Sequence, residues 1–514
     1  MKTQSNSSLG GCYVTVKRNS LSSRYDHRQA EDRLSRSWGD NALLDARQRF
    51  GFLLPQENNQ PWFMPMPPPN ITGQLHLGHA LFLTLQDIRT RFHHLNGQDT
   101  LWLPGTDHAG LATHEKITET LALEGADPTD LDLYWQTGWA WKEKFHSRIT
   151  HQMRRMGIGC NWEKERFTLD SDYQASTHEA FKRCWEQGWI YEKDGQWYMD
   201  MTELAKPLKE ALASGELTIH PLKSANRLLH FLNELEPWCL SRQIPWGMPM
   251  PLKYHEGKWQ LDEGDHTPGE KCPDTLDTWF LSSLWPFASL GWPHNTPDFE
   301  QYYPGTWMET GEDILFFWCA RMWMMGKFLT GSWPFTHIFL HGLIRDANNQ
   351  KMSKSLGNGI DPLDMIDQFG TDALRWHLAF RAEPALDMKF KPEALKQDAA
   401  WLNKIWQAGR FLDQFGPPSE LSEIPEDLKQ LWASLAEEIQ ADRYPAACRR
   451  LQHAFRDDFC GKWIEQHKMS LREGNTLDLQ EGWTRFHALL TMLHPFLPFL
   501  TTELHDRLGL NQRT

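Results

Sequence analysis

Near the start of the chain, apolar and polar positions predict a strand, a helix and a second strand. The apolar run 63–66 is broken by the turn residues Pro67–Asn70, and a helix is expected from about Leu75 towards His94. Residues 100–105 are typical of a second short buried strand. Strand, helix and strand in this order predict a βαβ unit of a parallel sheet.

The pattern then changes character along the chain. Residues 113–185 are helical and charged, whereas residues 190–198 have Asp194–Gly195 at their centre, which is typical of a β-hairpin turn. From about Lys391 helical periodicity continues to the end. Other elements expected before that point are an apolar helix over 314–328, a buried strand over 336–343 and a helix over 364–381. The sequence therefore predicts an α/β part followed by a separate all-α part.

Length and composition are those of an ordinary globular protein with two or three domains. The chain has 514 residues, of which 40% are hydrophobic and 23% are charged. Its 26 tryptophans are expected mainly in the core. The formal net charge of −14 gives no general attraction for a nucleic acid, although a local basic groove can lie on an acidic protein.

Cysteine usage and hydropathy exclude several classes of protein. The eight cysteines never form a Cys-x-x-Cys pair, so neither disulfides nor a structural zinc site are expected. The N-terminus has no apolar signal core, and no stretch reaches the roughly 18 apolar residues of a membrane span. We expect a cytoplasmic protein with no membrane partner and with a disordered tail over residues 1–24.

Two histidines carry the first candidate chemistry. His76 and His79 are three positions apart at the predicted helix start, so they share one helix face. Free backbone N–H groups at a helix start favour phosphate, and two imidazoles there can bind the α-phosphate of ATP and the leaving pyrophosphate. Gly78 between them would let a nucleotide approach closely. In isolation, a purely structural pair of histidines is an equally good interpretation.

A second segment, Lys-Met-Ser-Lys-Ser, follows the predicted strand over 336–343. Lys351 and Lys354 are cations flanked by the small hydroxyl residues Ser353 and Ser355. Such a loop can close over a triphosphate and neutralise the charge that develops in the transition state. The alternative is a solvated basic loop, but the position after a buried strand favours a ligand site.

Three further residues lie where strands or helices are expected to end or begin. Asp107 follows the second predicted strand, where a carboxylate can bind the ammonium group of an amino acid; the alternative is an ordinary turn aspartate. Gly311 and Asp313 precede the apolar helix and can accommodate a ribose, or Asp313 can act as a helix cap.

Together these segments resemble the valyl-type class I aminoacyl-tRNA synthetases. The segment Pro67–Ala80, with the sequence PPPNITGQLHLGHA, is closer to the valyl enzymes than to the isoleucyl or leucyl enzymes around its Pro-Asn turn. The resemblance runs from about Tyr25 to about Leu508. It also rests on the segments 105–110, 238–243, 276–280, 313–318, 342–346 and 351–355.

The resemblance implies a two-step reaction, in which ATP and valine form valyl-adenylate and the acyl group then passes to the 3′ end of a tRNA. Mg²⁺ would enter with ATP, without a dedicated protein cage. The implied roles are catalysis for His76, His79, Lys351 and Lys354; ATP binding for Gly78, Gly311, Asp313, His341, Gly342, Ser353 and Ser355; and amino-acid binding for Pro69, Asn70, Asp107 and Trp246.

The resemblance also implies the domain organisation. A Rossmann-type parallel-sheet catalytic domain is expected in two halves, 25–185 and 301–390, with a short connective insertion over 186–300. The all-α domain over 391–514 corresponds to the helical domain that contacts the tRNA anticodon stem in the family.

The chain departs from the family pattern in three ways. Only Glu192–Gly195 stands where the family carries an editing domain, and the C-terminal coiled coil of the family is not found after Leu510. The amino-acid pocket also differs, because Pro245–Trp246 and Met248 replace a tryptophan pair and a histidine. Glu312 replaces a residue that is usually aromatic.

Three functions remain open from the sequence: charging of tRNA, transfer of the activated amino acid to a non-tRNA acceptor in biosynthesis, and regulatory tRNA binding without catalysis. A missing editing domain favours the second, because a product outside translation needs no proofreading. The two intact signatures argue against the third. Residues 391–514 contain 15 lysines and arginines against 18 acids, so only a local patch of Arg443, Arg449, Arg450 and Arg456 offers a basic surface.

Overall fold

A computed structural model describes residues 21–39, 42–50, 60–350, 352 and 358–510, without the side chains of residues 44 and 45. Residues 1–20 of the predicted tail over 1–24 therefore lie outside the described residues. The fold is α/β with parallel sheets and a helical C-terminal region, as the sequence predicts.

The first part of the chain contains the predicted βαβ unit. The apolar run before the prolines forms a fully buried strand, and the next strand pairs with it in parallel register, Trp62 with Thr100 and Pro65 with Leu103. The elements of this part are α1 (His27–Trp38), α2 (Ala42–Phe50), β1 (Trp62–Pro65), α3 (Leu77–Leu95), β2 (Thr100–Leu103), β3 (Gly105–Thr106), α4 (Gly110–Leu123), α5 (Leu131–Arg155), β4 (Arg166–Phe167) and α6 (Ser171–Glu186).

The middle part begins with the predicted hairpin. Asp194 and Gly195 both have positive φ angles, 53° and 72°, which is the geometry that a tight two-residue hairpin turn requires. Its elements are β5 (Ile190–Lys193), β6 (Gln196–Met199), α7 (Thr202–Ser214), β7 (Thr218–His220), α8 (Leu222–Asn233), β8 (Trp238–Cys239), β9 (Ser241–Arg242), β10 (Leu252–His255), β11 (Lys258–Leu261), β12 (Glu270–Lys271), β13 (Thr275–Leu276), α9 (Thr278–Ser283), α10 (Trp285–Ala288) and α11 (Pro297–Tyr302).

The third part returns to the parallel sheet. The predicted apolar helix is a composite, since a 3₁₀ turn over Glu312–Ile314 and a π-helical turn over Leu315–Cys319 lead into the α-helix. The elements are β14 (Trp307–Gly311), α12 (Ala320–Thr330), β15 (His337–His341), β16 (Ile344–Arg345), α13 (Pro362–Phe369), α14 (Thr371–Arg381) and β17 (Met388–Lys389).

The central strands converge on one edge. β14 pairs in parallel with β15, β15 pairs in parallel with β7, and β14 packs beside β1. The strand order is thus β7-β15-β14 next to β1-β2. Because the strands are parallel, the carboxyl ends of β1, β14 and β15 meet at the same edge, where α/β sheets bind ligands. β7 lies within the segment that the sequence assigns to the insertion, yet it extends the catalytic sheet.

Helices make up the last part of the chain. After α14 the described residues form α15 (Leu395–Asp413), α16 (Glu426–Gln440), α17 (Tyr444–His453), a π-helical stretch over Ala454–Ile464, α18 (Glu465–Arg472), α19 (Thr476–Leu493) and α20 (Pro498–Leu508). One buried apolar cluster joins these helices to α3 and α14, so the helical part packs directly on the first half of the catalytic part.

Tryptophans contribute much of this core, as expected. Trp102, Trp246, Trp285, Trp323 and Trp376 are among the largest fully buried side chains. In the described part of the chain, no helix combines the length and the apolar character that crossing a membrane would need.

Candidate active site

The start of α3 is built by the two signature histidines. His76 is the N-cap residue, and its Nδ1 accepts the backbone N–H of Gly78 at 3.0 Å. The Nδ1 of His79 accepts the backbone N–H of His76 at 3.2 Å, and the two ring centroids are 4.0 Å apart. Because both Nδ1 atoms act as acceptors, each neutral ring carries its proton on Nε2. Nε2 is therefore the atom that can donate a hydrogen bond to a ligand.

Glycine is needed at position 78 for a structural reason that the sequence did not reveal. A Cβ at this position would lie 2.8 Å from Cε1 and 3.0 Å from Nδ1 of His76. Glycine thus leaves room for the capping ring, whatever it also does for an approaching nucleotide.

A cavity of about 810 Å³ opens at the carboxyl ends of β1, β14 and β15. It gathers most of the residues that the sequence selected from distant segments. Those lining it are Pro69, Asn70, His76, Gly78, His79, Asp107, Gly311, Asp313, His341 and Gly342.

Asp107 lies deep in this cavity and is only 4% exposed. The Pro69–Ile71 backbone and the Asp107 backbone exchange two hydrogen bonds of 3.1 Å, so the turn after β1 and the end of β3 are held side by side. The carboxylate accepts the N–H of Ala109 at 2.7 Å and the hydroxyl of Ser282. Its position is fixed from two directions, as a ligand for an ammonium group requires.

The opposite wall consists of the ends of β14 and β15. Gly311 and His341 are paired residues of the two strands. At Gly342, a Cβ would lie 1.9 Å from the carbonyl oxygen of Leu386, so any other residue would push this wall out of place.

Several lining residues were not selected from the sequence. Trp279 and Ser282 lie on α9, and together with Asn70 and Asp107 they also line an adjoining cavity of about 350 Å³. The other unselected lining residues include Phe82, Lys116, Thr310 and Trp318. The Asp-Thr-Trp-Phe segment that carried part of the resemblance was the available signal for Trp279.

Trp246 and Glu312 lie outside the cavity lining. Trp246 is completely buried, and its indole N–H donates to the carbonyl oxygen of His108 at 2.9 Å. It therefore supports the segment that carries Asp107 from behind. Glu312 accepts hydrogen bonds from Ser224 and Arg227, and so it faces α8.

Of the lysine signature over residues 351–355, the structure describes only Met352. Met352 lines the cavity, whereas Lys351, Ser353, Lys354 and Ser355 lie outside the described residues. Among the residues described, no group of three or more His, Cys, Asp or Glu side chains could hold a metal ion. Entry of Mg²⁺ with ATP stays a prediction.

Sequence models of two families match the chain. The family described as "tRNA synthetases class I (I, L, M and V)" matches residues 45–195, 190–268 and 257–391, and the family described as "Anticodon-binding domain of tRNA ligase" matches residues 423–513. The first two matched segments overlap at residues 190–195, which form β5 and the turn of the β5–β6 hairpin.

Valine–tRNA ligases are among the relatives that match most of the chain. The chloroplastic/mitochondrial valine–tRNA ligase 2 of Arabidopsis thaliana is 30% identical over 689 aligned positions, which cover 88% of this chain and 71% of the relative. The valine–tRNA ligase of Symbiobacterium thermophilum is 29% identical, in an alignment that covers 95% of this chain and 77% of the relative. Since this chain has 514 residues, at least 175 of the 689 aligned positions have a residue in the Arabidopsis relative and a gap in this chain.

Solved structures show the same fold. LeuRS of Agrobacterium radiobacter K84, in a ternary complex with tRNA and LeuAMS, aligns with a TM-score of 0.73 at 15% identity, covering 95% of this chain and 89% of that chain. Methionyl-tRNA synthetase of Mycobacterium tuberculosis, bound by methionyl-adenylate, aligns with a TM-score of 0.69 at 18% identity, covering 87% and 94%. The family match over residues 45–391, together with the 30% identical relative, shows that the chain belongs to the class I tRNA synthetases.

Proposed function

We propose that this chain activates valine, or a similar branched aliphatic amino acid, with ATP and transfers it to the 3′ end of a tRNA. One observation carries the proposal: the histidine-capped start of α3, the Asp107 carboxylate and the ends of β14 and β15 all line one cavity. An enzyme that joins a nucleotide to an amino acid needs a phosphate site, an ammonium site and a nucleoside site within reach of one another.

In the first step, a carboxylate oxygen of the amino acid attacks the α-phosphorus of ATP, and the bond from that phosphorus to the bridging oxygen of pyrophosphate breaks. The Nε2–H groups of His76 and His79 would donate to phosphate oxygens at the start of α3, where backbone N–H groups also favour negative charge. Lys351 and Lys354 would neutralise the leaving pyrophosphate.

At the amino-acid end, Asp107 would bind the α-ammonium group. Pro69 and Asn70 lie against it through the paired backbone segments, and Trp279 adds an apolar surface that faces both cavities. Trp246 would shape this pocket indirectly, through its contact with the carbonyl of His108.

Support for tRNA as the acceptor comes from the family of the helical part rather than from its charge. The match to the anticodon-binding family covers residues 423–513. By contrast, Arg443 and Arg450 both pair with Glu438, and Arg456 pairs with Asp457. These arginines are thus partly neutralised by the protein itself.

Pyrophosphate exchange with each of the twenty amino acids, followed by charging of tRNA(Val) transcripts, tests the proposal. We expect valine to give the fastest exchange and valyl-tRNA to accumulate. Absence of amino-acid-dependent exchange would refute adenylate formation, whereas exchange without charging would refute tRNA as the acceptor.

One observation favours a second candidate, in which the acyl group passes to a small amine or a carrier protein. A tight turn at Asp194–Gly195 joins β5 to β6 at the position where the resemblance to the valyl enzymes implies an editing domain, and a product outside translation does not need proofreading. Isolated enzyme-bound adenylate should then be discharged by such an acceptor and left intact by tRNA. Discharge by tRNA alone would exclude this candidate.

A further inference from the structure

A buried carboxylate lies directly behind the cavity wall that the ends of β14 and β15 form. We call this wall the nucleoside wall, because it holds the residues proposed to contact the nucleoside of ATP. Glu309 belongs to β14, two residues before Gly311, and its side chain is completely buried. It is not among the residues that line the cavity. Nothing in the local sequence distinguishes Glu309, because it occupies an interior position of a buried strand.

Both carboxylate oxygens of Glu309 are engaged. One accepts the Nδ1–H of His341 at the end of β15, and the other accepts the amide N–H of Gln86 at 2.8 Å. Gln86 lies on α3, the helix that begins with His76 and His79, and its amide also donates to the backbone carbonyl of Glu309 at 3.2 Å. A carboxylate buried this deeply is destabilising unless such hydrogen bonds compensate it.

The contact to Glu309 defines the chemistry of the His341 ring. An imidazole that donates through Nδ1 leaves Nε2 as the acceptor of the neutral ring. A Cβ at Gly311 would lie 3.6 Å from this Nε2, so the atom is close to the end of β14, where the cavity opens. His341 itself lines the cavity.

We propose that Glu309 is a positioning residue, which holds His341 in the tautomer with the proton on Nδ1 and directs Nε2 to a hydrogen-bond donor of the bound nucleoside. Through Gln86, the same carboxylate ties this nucleoside wall to the helix that carries the phosphate-binding histidines. The inference rests on the proposed function only in taking the cavity as the ATP site.

Two substitutions of Glu309 test this role. One removes both acceptor oxygens, and the other retains one of them. Glu309→Met retains the volume and removes the acceptor, whereas Glu309→Gln retains one oxygen for His341 and alters only the contact to Gln86. We expect Glu309→Met to raise the Kd of AMP and of ATP at least tenfold, measured by calorimetry on the full chain. Glu309→Gln should restore the Kd to within about threefold.

The effect must also act through His341. In a His341→Gln background no imidazole remains for Glu309 to hold, so Glu309→Met should change the Kd less than twofold. A matched control is Asp398→Leu, because Asp398 is a buried carboxylate that contacts Nδ1 of another histidine, His377, at 2.7 Å outside the cavity. That variant should lower stability and leave the nucleotide Kd unchanged.

Two results would overturn the inference: an unchanged nucleotide Kd in Glu309→Met, or an equal weakening in the wild-type and His341→Gln backgrounds. If Glu309→Met does not fold, the ¹⁵N imidazole shifts of His341 in the wild-type chain, assigned by comparison with His341→Gln, decide the question. A proton on Nε2 instead of Nδ1 would contradict the proposal. Binding of AMP requires no turnover, so missing pyrophosphate exchange would refute the proposed function without deciding the role of Glu309.

Discussion

His79 performs two tasks at the residue scale, and they can be separated. Its Nδ1 closes the start of α3 by accepting the N–H of His76, and its Nε2 is the donor that we assign to a phosphate. His79→Ala removes both atoms. His79→Asn retains a hydrogen-bonding group near Nδ1 and removes the donor at Nε2.

We expect both variants to slow valine-dependent pyrophosphate exchange at least tenfold, which corresponds to about 1.4 kcal/mol of transition-state stabilisation. Only His79→Ala should also lower the melting temperature, because it removes the acceptor of the His76 N–H, which is one half of the capping box. Near-normal exchange in His79→Asn would show that the histidine is required for the helix start alone.

The residues of the site were predictable to different degrees. His76 and His79 could be selected because a helix start and a phosphate-binding pair are both visible in local sequence. Trp279 and Ser282 could not, since only the tertiary fold brings α9 to Asp107. Glu309 was equally hidden, because its partners Gln86 and His341 are distant in sequence and its own neighbours are those of any buried strand.

At the scale of the element, the start of α3 depends on a missing side chain. Alanine normally stabilises a helix by about 1 kcal/mol relative to glycine. At position 78, however, the Cβ would lie 2.8 Å from the His76 ring and would displace the cap, whose loss costs about 1 kcal/mol. We therefore expect Gly78→Ala to leave the melting temperature almost unchanged and to slow exchange at least tenfold.

Gly461→Ala provides the matched control for this variant. Gly461 is exposed and helical, and the nearest atom to an added Cβ is 3.4 Å away. This substitution should raise the melting temperature slightly and leave exchange unchanged. Unimpaired exchange in Gly78→Ala would mean that the position of the His76 ring does not matter for the reaction.

The sequence predicted the elements that carry a strong local pattern and missed those that carry none. The strand β1, the helix α3 and the hairpin at Asp194–Gly195 were confirmed, because each carries a strong local pattern. β7 has only three residues, and no pattern reveals that it pairs with β15. Its place in the sheet comes from tertiary packing, which local sequence does not encode.

At the scale of the whole molecule, buried histidines make folding sensitive to acid. Burial lowers the pKa of His94 and His487 to about 4, that of His93 to about 3 and that of His505 to about 2. A neutral ring with a folded pKa below its unfolded value of 6.5 stabilises the protein above pH 6.5. That stability is lost as the pH falls towards the folded pKa, by about 2 kcal/mol per histidine between pH 7 and 5.

Asp372 acts in the opposite direction, because burial raises its pKa to about 7. It gains stability as the pH falls through 7, by about 2 kcal/mol down to pH 5. Burial also raises the pKa of Glu31 and Asp277 and lowers the pKa of His108 and His494. Because the histidines outnumber the carboxyls, the free energy of unfolding should fall by a few kcal/mol between pH 7 and 5. Urea unfolding at both values measures it, and equal stability at pH 5 would contradict the assignment of neutral, buried rings.

The tight β5–β6 hairpin bears on how accurately the whole molecule selects valine over threonine. Valine and threonine have nearly the same shape, and an apolar pocket rejects the added hydroxyl by only about 100-fold, a figure known for valyl enzymes in general. The resemblance to the valyl enzymes implies an editing domain that removes the wrong product. Here Asp194 and Gly195 join β5 directly to β6.

We therefore expect threonine to support exchange with a kcat/KM about 100-fold below that of valine. Threonyl-tRNA, whether formed by the chain or supplied, should be deacylated in the presence of the chain no faster than by spontaneous hydrolysis. A full-length valine–tRNA ligase that contains the editing domain serves as the control and should deacylate the same threonyl-tRNA. Rapid deacylation by this chain would mean that a hydrolytic site exists elsewhere in the molecule, and the interpretation of the Glu192–Gly195 turn as the position of a lost function would have to be abandoned.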